Sequence, residues 1–274
     1  VFNVRYNRVP VLTMSNCTFV GNSTTFGDGG GIYNGGRVVV SNCTFSGNTA
    51  KDDGGGICTE EPEYWGDVVT VTQCIFSGNS ATNGGGMFTF GPATVSGSTF
   101  SGNSATGDGG AMLSEYSPAT VTGCTCSNNS ASLGGAIYHR WAQATLTDCT
   151  FSGNMATYGG GMANDNRATV SGYSSSYTVI DCTFSGNTAT ENGGAMVNYE
   201  VSSVVTGSTF STNSAIHGGG MYNNRIINMA LADSVFSLNS ATDGGGMWNA
   251  NSSPALTNCR FSSNSATGDG GGMY

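Results

Sequence analysis

Apolar and polar positions alternate along this chain in a pattern that recurs ten times. Each repeat opens with an apolar residue between mostly polar neighbours, as at residues 120–122, which is typical of a short strand with one buried face. A Cys or Ser follows three residues later and a Phe two residues after that, so these two side chains share a face. The odd step of three predicts a bend or bulge between two inward-facing strands.

The Phe position marks the period. The steps from one copy to the next are 26, 31, 24, 26, 25, 33, 26, 26 and 25 residues, and only Cys126 replaces the Phe. A period of this size indicates stacked repeats, in which each repeat covers the apolar face of its neighbour. The phenylalanines of the predicted core ladder are Phe19, Phe45, Phe76, Phe100, Phe151, Phe184, Phe210, Phe236 and Phe261.

An Asn follows every copy of the Phe position by three residues. Asn tolerates left-handed backbone and bonds to nearby main chain, so stacked copies predict an amide ladder along a corner. Gly-Gly-Gly or Gly-Gly-Ala then leads to an Ile or Met that returns to the core. The ladder asparagines are Asn22, Asn48, Asn79, Asn103, Asn129, Asn154, Asn187, Asn213, Asn239 and Asn264.

Together these positions predict an all-β fold, a single-stranded right-handed parallel β-helix of about ten coils with about 25–26 residues each. One coil offers about four inward groups, too few to offset its backbone entropy, so the coils must stack. Residues 1–274 are expected to form one continuous β-helix domain. The two long steps place insertions at 60–67 and 164–177, on one edge of the rod.

The ends of the chain carry a further expectation. The sequence opens on Val1 and closes on Tyr274, and neither end has an atypical polar repeat. A free-standing solenoid needs such repeats to cover its terminal faces. We therefore expect a segment of a larger protein, with the caps not included.

Phe-x-x-Asn paired with Gly-Gly-Ala-Ile resembles the double motif of the polymorphic outer membrane proteins of chlamydiae and of related β-helix repeat proteins. Residues 19–22, 45–48 and 134–137 carry these motifs, and the resemblance covers essentially the whole chain. It implies a secreted domain with autotransporter-type export that acts in adhesion at a cell surface. Most corners here read Gly-Gly-Gly-Met instead, and position 126 is Cys.

Composition argues against nucleic-acid binding and against membrane insertion. The net charge is −9 and Lys51 is the only lysine, so no basic patch exists to bind nucleic acid. The chain has no run of about 18 apolar residues, so we expect no membrane insertion by this segment.

Seven of the nine cysteines share one place in the repeat, two residues before the Phe position, where the other three repeats carry Ser. The exchange with Ser favours packed free thiols, and stacking at about 4.8 Å leaves disulfides between neighbouring coils as the alternative. A zinc site is disfavoured because His139 and His217 are isolated. The seven are Cys17, Cys43, Cys74, Cys124, Cys149, Cys182 and Cys259.

In five coils an Asp stands directly before the glycine run, and the resulting sequence resembles calcium-binding Gly-Asp repeats. This place holds Asp28, Asp53, Asp108, Asp243 or Asp269 in these coils, and Asn, Leu, Tyr or His in the others. Because a ligand would not vary so freely, a turn role is favoured over calcium, and no cofactor is predicted.

The residue after each returning Ile or Met has the opposite parity, and six of ten are aromatic. Either turns and insertions cover this stripe, or it is a contact surface for a neighbouring rod or for sugar rings. The candidate contact stripe is Tyr33, Phe88, Tyr138, Tyr222, Trp248 and Tyr274.

Catalysis has little support. Polysaccharide-cleaving β-helices need clustered carboxylates, and Asp148 and Asp181 share the place before Cys in adjacent coils, with Asp233 further along. Other repeats carry Asn, Gln or Gly at that place, which favours a turn. We therefore predict no enzyme, no catalytic residue and no metal ligand.

Sequons for N-glycosylation stand at Asn16, Asn22, Asn42, Asn128 and Asn251, and they matter if the source is eukaryotic.

The leading interpretation is a non-catalytic extracellular rod, structural or adhesive, that belongs to a cell-surface protein or filament. We expect it to associate with itself end to end or laterally, or with other surface proteins or glycans. The alternative is a carbohydrate-binding or polysaccharide-degrading β-helix, which sugar bound beside Asp148 and Asp181 would favour.

Overall fold

The chain winds into a right-handed β-solenoid of about nine turns. The structure, a computed structural model, describes residues 2–3, 11–59, 68–141, 143–167, 175–226 and 228–274. Within these ranges every regular secondary-structure element is a β-strand. The predicted all-β parallel β-helix is confirmed. The insertion at 60–67 and residues 168–174 of the second insertion lie outside the described residues.

Three parallel sheets form the faces of the solenoid, with ten strands each in the part of the chain that the structure describes. We name them for a residue that their strands turn inward. The Val sheet comprises Val11–Ser15, Arg37–Ser41, Val69–Thr72, Ala93–Ser96, Ala119–Thr122, Ala144–Thr147, Ser176–Ile180, Ser202–Thr206, Asn228–Ala232 and Ala255–Thr257. The Phe sheet comprises Thr18–Val20, Thr44–Ser46, Ile75–Ser77, Thr99–Ser101, Thr125–Ser127, Thr150–Ser152, Thr183–Ser185, Thr209–Ser211, Val235–Ser237 and Arg260–Ser262. The Met sheet comprises Phe2–Asn3, Ile32–Asn34, Ile57–Thr59, Met87–Thr89, Met112–Glu115, Ile137–Arg140, Met162–Asp165, Met196–Tyr199, Met221–Asn224 and Met247–Ala250.

Shorter strands line the corner between the Phe sheet and the Met sheet. A five-stranded and a two-stranded parallel sheet form there among the described residues. The strands are Ser80–Ala81, Ser104–Ala105, Ser130–Leu133, Met155–Tyr158 and Thr188–Asn192, then Ser240–Ala241 and Ser265–Ala266.

Like residues lie over like residues in every sheet. Phe45 pairs with Phe76 across the Phe sheet, and Met87 pairs with Met112 across the Met sheet. The inward Val, Cys or Ser, Phe and Met positions are almost completely buried in the middle coils, and the apolar ones form one continuous cluster. The core therefore runs the length of the rod, as predicted for coils that cannot stand alone.

The predicted bend between the Val and Phe sheets is a single left-handed residue. Asn42, Asp148 and Asp181 have φ of 51°, 53° and 51°, and Gly97 takes the same place with φ 54°. One left-handed residue turns the chain sharply and restores inward parity for the following Cys.

The glycine run serves both roles expected of it. Gly84 is left-handed with φ 58°, whereas a Cβ on Gly85 would collide with the carbonyl oxygens of Gly110 and Ser104. At the third position a Cβ on Gly86 would meet the carbonyl oxygen of Ala111 at 2.6 Å, yet Ala111 and Ala136 occupy this place in the next coils, so the corner can shift to admit a methyl there. The corner thus needs glycine where successive coils approach each other most closely.

Candidate functional site

The predicted aromatic stripe is mostly covered. Phe88, Tyr138 and Tyr222 are buried, with 7%, 2% and 8% of their surface exposed, so these three rings do not form an exposed stripe, although Tyr222 also lines a cavity described below. They form a second apolar cluster, separate from the core, against which Leu133 and Tyr158 of the corner turns pack. The turns therefore cover the stripe, which was the other alternative.

The remaining members of the stripe are more accessible. Tyr33 and Trp248 are half-buried, and Tyr274 has 52% of its surface exposed. The Trp248 ring lies between neighbours, with ring centroids 4.2 Å from Tyr274 and 4.3 Å from His217.

Two cavities lie between the corner turns and the outer side of the Met sheet, and we call this surface the corner groove. One wall is the column of residues that precede the glycine run. The other wall is the outer side of the Met sheet with the residues that follow each of its strands. The first-wall residues that line the two cavities are Asp28, Asp53, Asn83, Leu133, Tyr158 and Asn192.

The first cavity is acidic and has a volume of about 440 Å³. Arg140 forms an ion pair with Glu115 inside it and lies 3.9 Å from Asp108. Burial raises the pKa of Asp53 and of Asp108, and it lowers the pKa of Arg140. The Arg140 guanidinium therefore partly compensates the buried carboxylate of Glu115 and the half-buried carboxylates of Asp53 and Asp108.

The aspartates of this wall bond to the turn above or below them. The backbone N–H of Asp53 donates to Asp28 Oδ1 at 2.9 Å, and that of Asp269 donates to Asp243 Oδ1 at 2.8 Å. The amide of Asn83 donates to Asp53 Oδ1 at 3.0 Å. This geometry is the predicted turn role, and the described residues contain no group of three or more His, Cys, Asp or Glu side chains arranged to hold a metal.

The second cavity has a volume of about 410 Å³ and is lined largely by tyrosines and amides. The Nδ2 of Asn192 donates to Tyr199 Oη, and the Nδ2 of Asn224 donates to Tyr222 Oη, both at 3.4 Å. Arg167 stacks on the Tyr199 ring at 3.7 Å. We call this the tyrosine cavity, which is lined by Ser132, Leu133, Tyr158, Arg167, Asn192, Tyr199, Tyr222 and Asn224.

The predicted Asn ladder is continuous through the corner. The amide of Asn79 donates to Asn103 Oδ1 at 2.9 Å and to the Phe45 carbonyl at 2.9 Å, and the backbone N–H of Asn79 donates to the same Asn103 oxygen at 3.0 Å. The pattern repeats from Asn48 to Asn239, all fully buried, while Asn22 at one end is exposed. Each internal amide therefore bonds to both neighbouring coils.

The predicted Phe ladder consists of two stacks. Rings in each stack lie 4.5–5.0 Å apart and nearly parallel, from Phe19 to Phe100 and from Phe151 to Phe261. Cys126, which is 1% exposed, separates them.

A second amide ladder was missed by sequence reasoning. In the Met sheet the amide of Asn164 donates to Asn198 Oδ1 at 2.7 Å, Asn198 to Asn223 at 2.9 Å and Asn223 to Asn249 at 2.9 Å. A signal was present, because the residue two places after the returning Ile or Met is polar in all nine coils that have one. The column reads Asn34, Thr59, Thr89, Ser114, His139, Asn164, Asn198, Asn223 and Asn249.

The candidate carboxylates lie elsewhere. Asp148 and Asp181 are exposed and occupy the left-handed turn between the Val and Phe sheets, outside both cavities of the corner groove. The neighbouring turn residue Asn258 donates to Asp233 Oδ1 at 3.2 Å. These contacts fit a turn role.

The five sequon asparagines are also exposed, and all but Asn22 have positive φ.

The nine cysteines have free thiols. Cys43 Sγ donates to the carbonyl of Ser41 at 3.2 Å and Cys74 Sγ to that of Thr72 at 3.3 Å. Burial raises the pKa of both thiols. The structure thus has the packed-thiol arrangement and not the disulfide alternative.

The family model described as the right handed beta helix region matches residues 2–174, more than half of the chain. The chain belongs to the right-handed β-helix family. The Chlamydia polymorphic membrane protein repeat matches residues 181–195 of this β-helix protein, which contain Phe184, Asn187 and Gly193. The resemblance to a β-helix repeat protein of the polymorphic membrane protein type is therefore confirmed.

The polymorphic membrane protein repeat points to a surface, autotransporter-like β-helix protein. No curated protein and no solved structure matched the chain. Among the described residues of this β-helix protein, no helix is long and apolar enough to cross a membrane.

Proposed function

We propose that this chain is a non-catalytic adhesive rod, displayed outside the cell as part of a surface protein. The observation that carries the proposal is the match to a repeat of surface-exposed proteins, on a solenoid whose two amide ladders and Phe stacks run through consecutive coils. Such a body presents a long, fixed surface to a partner. Its partners are surface proteins or glycans, or further copies of the rod.

The carboxylates of the chain support the absence of catalysis. Asp148 and Asp181 are exposed at turns, where water surrounds them. In the corner groove, Glu115 is bound to Arg140, and the carboxylates of Asp28 and Asp53 accept hydrogen bonds from neighbouring turns. A hydrolase needs an acid and a base that are free to act on one reacting bond, whereas the carboxylates of the groove are engaged in an ion pair or in turn hydrogen bonds, which supports a non-catalytic rod.

Adhesion is tested with beads coated with the purified chain and applied to cultured epithelial cells. Beads coated with the same chain after heat denaturation are the control. We expect the folded chain to increase bead attachment several-fold, and equal attachment of both kinds of bead would contradict the proposal.

The absence of catalysis is tested separately. The chain is incubated with a panel of neutral and acidic polysaccharides, and new reducing ends are measured. We expect none above the buffer control. Release of reducing ends that is lost in Asp148→Asn or Asp181→Asn would show that the rod is an enzyme.

A further inference from the structure

We propose that the tyrosine cavity binds an uncharged oligosaccharide, which makes it the glycan-recognition site of the rod. The inference rests on the proposed adhesive function and names the chemical class of the partner. The cavity volume of about 410 Å³ falls within the range of small-ligand sites.

The first support is the set of hydrogen-bonding groups that the cavity offers. Tyr199 and Tyr222 each accept a bond from an amide at the phenol oxygen, which leaves the O–H of each phenol as a donor. Asn192 Oδ1 is buried and has no hydrogen-bond partner in the described part of the chain. Donors and acceptors mixed within one small cavity match a polyol, whose hydroxyls both donate and accept.

The second support is the shape of the lining. Tyr158 and Leu133 are half-buried on the turn wall, opposite Tyr199 and Tyr222 of the Met sheet. The site therefore combines apolar surface with hydrogen-bonding edges. A sugar ring has the same division, with C–H groups on its faces and hydroxyls around its rim.

Charge favours an uncharged glycan over an anionic one. Arg167 is the cation of the cavity, and Asp165 holds it through bonds of 2.7 Å and 3.0 Å. The other cavity of the groove is acidic, and the chain carries a net charge of −9. A long polyanion lying along the groove would meet repulsion at the acidic end.

The backbone around the cavity disfavours an extended peptide. The strand Met196–Tyr199 is bonded to Met162–Asp165 on one side and to Met221–Asn224 on the other. No strand edge is therefore open at this part of the described chain for a peptide to join the sheet. Recognition must come from side chains.

The test begins with an array of neutral linear oligosaccharides and sulfated glycosaminoglycans, probed with the whole chain. We expect binding to neutral oligosaccharides that persists at about 0.5 M salt, because no ion pair is needed. The best neutral ligand is then titrated by calorimetry against the double variant Tyr199→Phe/Tyr222→Phe. This variant keeps both rings and removes both phenol donors, so we expect at least about a tenfold loss of affinity.

Tyr116→Phe is the matched control, since it removes a phenol outside the tyrosine cavity and should leave affinity unchanged. Binding to no glycan, or only to sulfated glycans at low salt, would overturn the inference. So would unchanged affinity in the double variant, or a partner that proves to be a protein.

Failure here is distinguishable from failure of the proposed function. If coated beads attach to cells and the double variant attaches equally well, the rod is adhesive but the tyrosine cavity is not the site. If beads do not attach at all, adhesion itself is wrong.

Discussion

His139 occupies a place in the Met sheet that other coils fill with Asn, Ser or Thr. It is fully buried, and neither ring nitrogen has a hydrogen-bond partner among the described residues. In the next coil the oxygen of Asn164 also lacks a partner, because the second amide ladder begins there. Burial without a partner lowers the pKa of His139 to about 3.

Replacing His139 with Asn should extend the ladder by one member. The new amide would donate to Asn164 Oδ1, so we expect the free energy of unfolding at neutral pH to rise by about 1 kcal/mol. His139→Ala is the control, because it removes the ring without supplying a donor and should lower stability. Chemical denaturation of the three proteins decides, and an Asn variant no more stable than the Ala variant would contradict the ladder argument.

The same substitution should change the response to acid. The unfolded chain binds a proton at the ordinary His pKa of 6.5, whereas the folded chain resists protonation down to about 3. Because the unfolded chain takes up this proton first, His139 leaves the free energy of unfolding unchanged above pH 6.5 and lowers it progressively as the pH falls toward 3. We expect His139→Asn to lose less stability than the wild type across this window, by a few kcal/mol. Parallel curves for the two proteins would show that this histidine is not the cause.

The loss of unfolding free energy on replacing an Asn of the corner ladder with Ala should depend on whether the Asn lies inside the ladder or at its end. Asn103→Ala leaves the backbone and amide N–H groups of Asn79 and the carbonyl of Phe76 without their partner, all in a dry interior. We expect a loss of about 3 kcal/mol. Asn22→Ala, at the exposed end, removes one amide contact to Asn48 and should cost less than about 1 kcal/mol. Equal losses, measured by urea unfolding, would mean that the ladder is not a cooperative series.

At the scale of the element, the glycine corner gives a paired comparison. Gly85→Ala forces a Cβ against the carbonyls of the next coil and should lower stability by at least about 2 kcal/mol. Gly86→Ala also brings a methyl to 2.6 Å from a carbonyl oxygen, that of Ala111, but Ala111 and Ala136 occur naturally at this place in other coils, so this variant should lose less stability than Gly85→Ala. Thermal unfolding of both variants tests the assignment, and a reversed order would refute it.

The sequence predicted some features of the strands and turns but not others. The Phe, Asn and Met positions were predictable because their spacing repeats and because parity assigns each to a face. Parity assigns the aromatic stripe to the outer side of the Met sheet but does not tell whether other residues cover it. Leu133 and Tyr158 of the corner turns pack against the stripe, and this contact depends on how the glycine corner places the turns over the sheet. The tyrosine cavity was missed because Tyr199 lies at a place with no periodic preference.

At the scale of the whole molecule, Cys126 divides the rod. Ring stacking stops on both sides of it, so this coil contributes less buried area than its neighbours. In a solenoid each coil is stabilised only by adjacent coils, so a weak coil separates two more stable blocks.

Hydrogen exchange at low denaturant should reveal this division. We expect the amides of Thr125–Ser127 to exchange earlier than those of Thr209–Ser211, which lie inside the longer Phe stack. Phe210→Cys copies the interruption into that stack and should create a second early-exchanging coil. Uniform protection in the wild type, or an unchanged pattern in the variant, would show that the ring stacks do not set local stability.

Because equivalent residues of successive coils lie over one another, the length of this rod can change only in units of one coil. Adding or deleting one entire turn leaves every column intact, and the rod grows or shrinks by about 4.8 Å, whereas adding one residue within a strand reverses which side chains face inward. Descendants of such a gene can therefore change their reach in whole steps while keeping both groove walls aligned.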